Sequence, residues 1–139
     1  MRSLLKKLIL FKLLLFLNYN AFAPVNKSVT IPGSEPINPF HNLIHAIGIV
    51  ETNLDTLAYN PLEEATGYFQ IRPIRLADYN KRTGNSYKLR DMYNYSIAEK
   101  IFLYYASLTG PYDFETIARS WNGSGEMTTE YWKKVQQHL

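Results

Sequence analysis

Glu51 is the residue whose type and position point most directly to chemistry in this chain of 139 residues. It follows the apolar stretch Leu43–Val50 and precedes an irregular segment, so its carboxyl is expected to be partly desolvated. Desolvation disfavours the charged form and raises a carboxyl pKa. An acid that stays protonated near neutral pH is what glycosidic-bond cleavage needs, to protonate the leaving oxygen. The plain alternative is a solvated glutamate at a helix end, and taken alone the residue does not decide between them. His41 and His45, at i and i+4, share one side of the same helix. With Glu51 or His138 they form a weak candidate metal set. The zinc-protease pattern needs Glu after the first His, and position 42 is Asn. Polar-face histidines outside any site are the better reading. Asn122-Gly123-Ser124-Gly125 follows a helix and lacks the Lys-Ser/Thr of a phosphate loop, so it reads as a helix-terminating turn.

The elements that must position Glu51 follow from periodicity and punctuation. Asn38-Pro39 is expected to open a helix that carries Leu43, Ile44, Ile47 and Val50 inward and runs to about Thr52. Residues 53–66 read as irregular, and Gly67–Ile71 as a short strand-like run. Pro73 starts a helix of about Ile74–Arg82, closed by Thr83-Gly84-Asn85. Ser96 is expected to cap a longer helix, with Ile97, Ile101, Tyr104, Tyr105 and Leu108 on one side and Gly110-Pro111 as its stop. Asp113 caps a helix carrying Ile117, Ala118 and Trp121, and Thr128 or Thr129 opens the last one. The fold class expected is mainly α, in the α+β sense: five to six short helices with a small β-like excursion. Twenty aromatic residues, eleven of them Tyr, exceed what so small a core requires and suit sugar rings, which have apolar faces and polar edges; the plain alternative, that half fill the core and the rest decorate helices, holds for most individual tyrosines, so none is assigned to a site on this basis.

Composition narrows the function classes. The chain has no cysteine, which excludes disulfides, thiolate metal sites and cysteine nucleophiles. Its net charge is +3, but four of the fifteen basic residues and none of the twelve acids fall in the first 23 positions. That leaves eleven basic against twelve acidic side chains, a net of −1, from residue 24 onward. A nucleic-acid role is therefore not expected. Residues 1–23 combine Arg2, Lys6 and Lys7, an apolar Leu8–Leu17 and Ala21-Phe22-Ala23, the pattern of a secretory signal. The alternative, a retained anchor, would need a longer uninterrupted apolar run. Residues 24–37 read as a linker and 38–139 as the folded domain.

Taken together, Ile49-Val50-Glu51-Thr52-Asn53, Gly67-Tyr68-Phe69-Gln70-Ile71 beginning sixteen residues after Glu51, Phe102–Leu108 and Ala118–Gly125 resemble the lysozyme-like superfamily. The closest resemblance is to lytic transglycosylases and the goose-type and invertebrate-type lysozymes, over about residues 40–135. The tail Tyr131–Val135 resembles the end of the invertebrate-type enzymes. The sequence departs from the family in lacking cysteines, in Thr66 where Ser is common, and in Trp121-Asn122-Gly123 for an Ala-Tyr-Asn-Ala-Gly-like element. The resemblance implies a lysozyme-like fold whose β excursion lies beside the active-site cleft, and a peptidoglycan glycan strand as partner. The bond cleaved would be the β-1,4 link between N-acetylmuramic acid and N-acetylglucosamine. Glu51 would be the general acid and base. Gln70, Tyr104 (a better match than Tyr105) and Asn122 would contact substrate, and Glu63 or Glu64, or less directly Asp55, would be a second carboxylate if one is used. A transglycosylase, which manages with one carboxylate, is favoured over a hydrolase. No cofactor and no metal are implied. The competing readings are a non-catalytic glycan-binding module on the same fold and, less well supported, an exported metal-dependent hydrolase using His41 and His45. The expected location is periplasmic or extracellular, with the membrane met only through the signal sequence, and the expected state a monomer. N-terminal sequencing of exported protein should find a start near Pro24; a membrane-bound product retaining Met1 would refute the signal.

Overall fold

A computed structural model describes residues 38–110 and 113–139; the expected signal sequence, the linker and Pro111 of the expected helix stop lie outside the described residues. Leu43, Ile44, Ala46 and Ile47 are buried on one face of α1 (His41–Thr52), while His41 and His45 face outward. The helix starts later than Asn38-Pro39. Asn38 instead forms a turn, its Oδ1 accepting from the Phe40 N–H at 3.0 Å. At the other end Asn53 adopts a left-handed conformation (φ 52°) that ends the helix.

The segment expected to be irregular contains a hairpin. β1 (Tyr59–Asn60) pairs antiparallel with β2 (Ala65–Thr66) in the register Tyr59 to Thr66 and Asn60 to Ala65. Thr66 also exchanges backbone hydrogen bonds with Ile71 at 3.1 and 3.0 Å. Gly67–Gln70 is thus a tight loop between two extended residues, not the strand its β-branched and aromatic content suggests. Local propensity lost to the loop because Gly67 adopts φ 76° and a Cβ there would collide with the Met92 carbonyl.

Four further helices follow: α2 (Pro73–Thr83), α3 (Tyr95–Thr109), α4 (Phe114–Asn122) and α5 (Met127–Gln136), with a 3-10 turn at Leu89–Tyr93 before α3. The described protein is mainly helical with one small sheet, as its sequence predicts. Asp113 caps α4 as expected, Oδ1 accepting from Thr116 N–H at 2.9 Å. Asn94, not Ser96, caps α3, accepting from Ile97 N–H at 3.3 Å. The buried face of α3 is Ala98, Ile101, Phe102 and Ala106, and Leu108 is exposed. Of the stripe read from sequence, Ile101 is buried and Ile97, Tyr104 and Tyr105 pack partly buried against the core, so only Leu108 departs from it.

The core is aromatic. Phe69 stacks on Phe102 with ring centres 4.9 Å apart, and Trp121 meets Phe102 edge-on at 5.0 Å. Tyr68, Tyr79 and Tyr131 are buried, and Tyr87, Tyr95, Tyr104 and Tyr105 pack against the same core. Most of the tyrosines that looked surplus are therefore structural. Tyr68 lies so close over α1 that a Cβ at Gly48 would overlap its ring. Gly48→Ala should consequently destabilise the protein by about 1–3 kcal/mol, the range for overpacking a filled core. Chemical denaturation measures it; a neutral substitution would mean that Tyr68 moves away without cost.

Candidate active site

Glu51 occupies the last turn of α1, in a polar cleft of about 430 Å³ whose other walls are the Gln70–Arg75 segment and the end of α4. Burial pushes its carboxyl up from 4.5 to about 7. The Tyr131 hydroxyl, donating to Glu51 Oε1 at 2.7 Å, and the positive charge of Arg72 oppose that rise without cancelling it. The position works in the same direction, since the carbonyl end of a helix is the wrong end for a negative charge. Tyr131 is itself buried on the α5 face formed with Thr128 and Val135, and its own pKa is pushed up by that burial and by the neighbouring Glu51. The carboxyl is thus held at one oxygen by a rigid donor eighty residues away in the chain.

The cleft wall opposite is set by the loop after β2. Thr52, the residue after Glu51, donates through Oγ1 to the Tyr68 carbonyl at 3.2 Å and ties α1 to this loop. Gln70 has φ 48°, uncommon for a residue with a side chain. Its own amide holds it there: Nε2 donates to the Gly67 carbonyl at 3.0 Å, alongside the backbone N–H to the same oxygen at 2.9 Å. Trp121 Nε1 donates to the Phe69 carbonyl at 3.1 Å in a buried bond. Arg72 Nη2 donates to the Asn122 carbonyl at 2.6 Å, and Arg75 Nη2 to the Trp121 and Ser120 carbonyls at 2.7 and 3.2 Å. The two arginines therefore answer the unpaired carbonyls at the end of α4, where cations are favoured. The same bonds bring Asn122 to the cleft opposite Gln70.

Of the residues singled out from sequence, Glu51, Gln70, Asn122 and Glu63 meet in this cleft. Glu63 is half exposed and lies 3.7 Å from Arg72 Nη1. Glu64 belongs to the turn between β1 and β2, with φ 52°, and is not among the cleft residues. Asp55 accepts from Leu57 N–H at 2.8 Å in a local turn. Tyr104 is misplaced by the sequence reading. It packs edge-on against Tyr79 and Tyr105, at 5.2 Å from each, and plays no part at Glu51. The tyrosine at the carboxyl is Tyr131. Its signal was present in the sequence, a hydroxyl on the inward i, i+3, i+7 face of the last helix, since a buried Tyr needs a partner for its O–H. Arg72 and Arg75 were also missed. Two cations at the N-terminal end of a helix oppose its dipole, which is itself a sign that something else engages them. Among the described residues no group of three metal-ligating side chains converges, and no helix is long and apolar enough to cross a membrane.

No protein-family model matches this chain, and neither the curated proteins nor the solved structures yield a match.

The raised pKa has a thermodynamic consequence. Between about 4.5 and 7 the native state keeps a proton that the unfolded chain has released. Stability therefore falls as pH rises through that window, by up to roughly 3 kcal/mol. Glu51→Gln cannot ionise, so it should be more stable than wild type at about pH 8 and lose that advantage at about pH 4. Denaturant melts of both proteins at the two pH values read this directly. In Tyr131→Phe, which removes a bond favouring the carboxylate, the Glu51 titration followed by carboxyl NMR should move higher still.

Proposed function

We propose that this protein cleaves the glycan strands of peptidoglycan, between N-acetylmuramic acid and N-acetylglucosamine, as an exported lysozyme-like enzyme. The observation that carries this reading is Glu51: an acid poised near neutral pH, fixed by Tyr131, in a polar cleft between Gln70 and Asn122. A general acid works best with its pKa near the working pH. Protonated Glu51 donates its proton to the glycosidic oxygen as the bond to the sugar C1 breaks. The resulting carboxylate then takes the proton of the attacking hydroxyl, so the acid is regenerated. Gln70 and Asn122 orient the sugars on either side.

The lytic transglycosylase form, in which the sugar's own 6-hydroxyl attacks, is favoured by the state of the other carboxylate. Glu63 is the second acid in the cleft, half exposed and 3.7 Å from Arg72, and no hydrogen bond among the described residues holds it in place as Tyr131 holds Glu51. A hydrolase that relied on a second carboxylate as base or nucleophile would need that group aimed at the sugar. One acid is enough for the intramolecular reaction.

Digestion of purified peptidoglycan followed by mass spectrometry tests the reading, since anhydro and reducing ends differ by one water. Anhydro products are expected. Glu51→Gln should lower turnover by at least about 10²-fold, the lower bound for losing a general acid, while binding to the glycan persists. Glu63→Gln should change the rate little. A large loss at Glu63 would favour a two-carboxylate hydrolase. An inactive wild type that still binds would favour a non-catalytic glycan-binding module.

A further inference from the structure

Met127 is the exposed apolar side chain of the cleft that holds Glu51. The other walls are mostly polar, among them Glu51, Glu63, Gln70, Arg72 and Asn122. Trp121 also reaches the cleft, but it is buried, and the Arg75 guanidinium lies over its ring at 4.2 Å. Met127, by contrast, is 78% exposed at the first turn of α5. It precedes Tyr131 by four residues, so the two share one face of the helix. Tyr131 is the donor that holds Glu51. Thr128 fixes this end of α5: its Oγ1 donates to the Gly125 carbonyl at 2.7 Å and accepts from Arg119 Nε at 3.1 Å. An apolar side chain is thus held at the edge of a polar cleft by a helix start that does not depend on it.

The sulfur of this residue also stands apart. The chain has no cysteine and three methionines. Met1 lies outside the described residues, and Met92 is wholly buried in the core. Met127 therefore carries the one solvent-exposed sulfur among the described residues. A thioether is oxidised where oxidant can reach it. With hydrogen peroxide the sulfur lone pair attacks one peroxide oxygen and the O–O bond breaks. Sulfur gains that oxygen and is oxidised by two electrons, while the other oxygen leaves with both protons as water. The sulfoxide so formed is polar and chiral where the thioether was apolar and flexible.

We propose that Met127 is an oxidation site through which peroxides weaken the hold of the cleft on its glycan. The inference rests on the proposed function for the identity of the ligand. Reduced, the thioether packs on the apolar face of a sugar ring in the cleft and adapts to its shape. Oxidised, it loses that contact and presents an oxygen whose hydration must be given up when the sugar binds. Glu51 and its bond from Tyr131 contain no oxidisable sulfur, so the loss falls on binding and not on proton transfer. Methionine sulfoxide reductases return the thioether, one enzyme for each sulfoxide epimer, which makes the change reversible.

The test treats the purified protein with dilute hydrogen peroxide and follows two readouts. Peptide mass mapping should find one added oxygen on Met127 well before any on Met92. Kinetics on soluble peptidoglycan strands should show KM raised at least about threefold with kcat little changed, as for losing part of one apolar contact. Both reductases together, with dithiothreitol as the reductant, should restore the starting KM. Each variant is compared with itself before and after peroxide. Met127→Leu, apolar but without sulfur, should keep its own KM through the treatment. Met127→Gln should begin with the weaker binding and stay there. Oxidation of Met127 without a change in KM would overturn the inference and leave the enzymatic reading standing. So would an equal loss in Met127→Leu, which would put the sensitive group elsewhere, or oxidation of Met92 at the same rate, which would make the loss one of folding. If wild type binds the strands without cleaving them, the enzymatic reading fails, and co-sedimentation with insoluble peptidoglycan replaces KM with the same expected weakening. A protein that neither cleaves nor binds peptidoglycan would remove the proposed function and this inference together.

Discussion

The junction between the Phe69–Arg75 segment and the end of α4 is the constraint from which the site follows. Trp121 donates to the Phe69 carbonyl, Arg72 to the Asn122 carbonyl and Arg75 to the Trp121 carbonyl. A helix leaves its last carbonyls unpaired, and burying them without partners would cost the desolvation of each. Here two cations meet that requirement from a segment about fifty residues away in the chain, and the Trp121 indole N–H, from α4 itself, satisfies the Phe69 carbonyl of that segment in return. The result is positional: Gln70 and Asn122 end up on opposite walls of one cleft. Stacking of Arg75 on Trp121 and of Phe69 on Phe102 then fixes the walls in place.

Those arginines also shape the electrostatics without neutralising the acid. Had either guanidinium formed a close pair with Glu51, the carboxyl would be ionised at neutral pH and of little use as a proton donor. Their strongest hydrogen bonds go to α4 carbonyls instead, and Tyr131, a neutral donor, is what touches Glu51. Burial is left as the dominant influence on its pKa. This is a costly arrangement for the fold, since ionised Glu51 is destabilised where it sits. Such strain between stability and local chemistry is expected at a working site more than in a structural one.

Several sequence readings failed where a local signal was outweighed by a distant contact. Gly67–Ile71 has strand-like composition, yet a close approach to Met92 at Gly67 turns it into a loop. Tyr104 and Tyr105 have equivalent neighbours in sequence. Only packing sends the first against Tyr79 and gives the second a hydrogen bond to Asp78. The tyrosines, by contrast, follow the plainer of their two sequence readings: a small core without disulfides uses most of them as its bulk.

What the sequence alone determined was what depends on short range. Periodicity set the helical class, Asp113 marked its cap, and an apolar helix ending in Glu51 announced a desolvated acid. It was the resemblance, not periodicity or composition, that singled out Gln70 and Asn122, and both line the cleft that holds Glu51. Only the tertiary structure decided which tyrosine reaches Glu51, that Glu63 and not Glu64 shares its cleft, and that Arg72 and Arg75 close the end of α4. Each of these is a contact between chain segments far apart in sequence. A hydrogen-bond donor and its acceptor carry no mark of one another in the chain until packing brings them within about 3 Å.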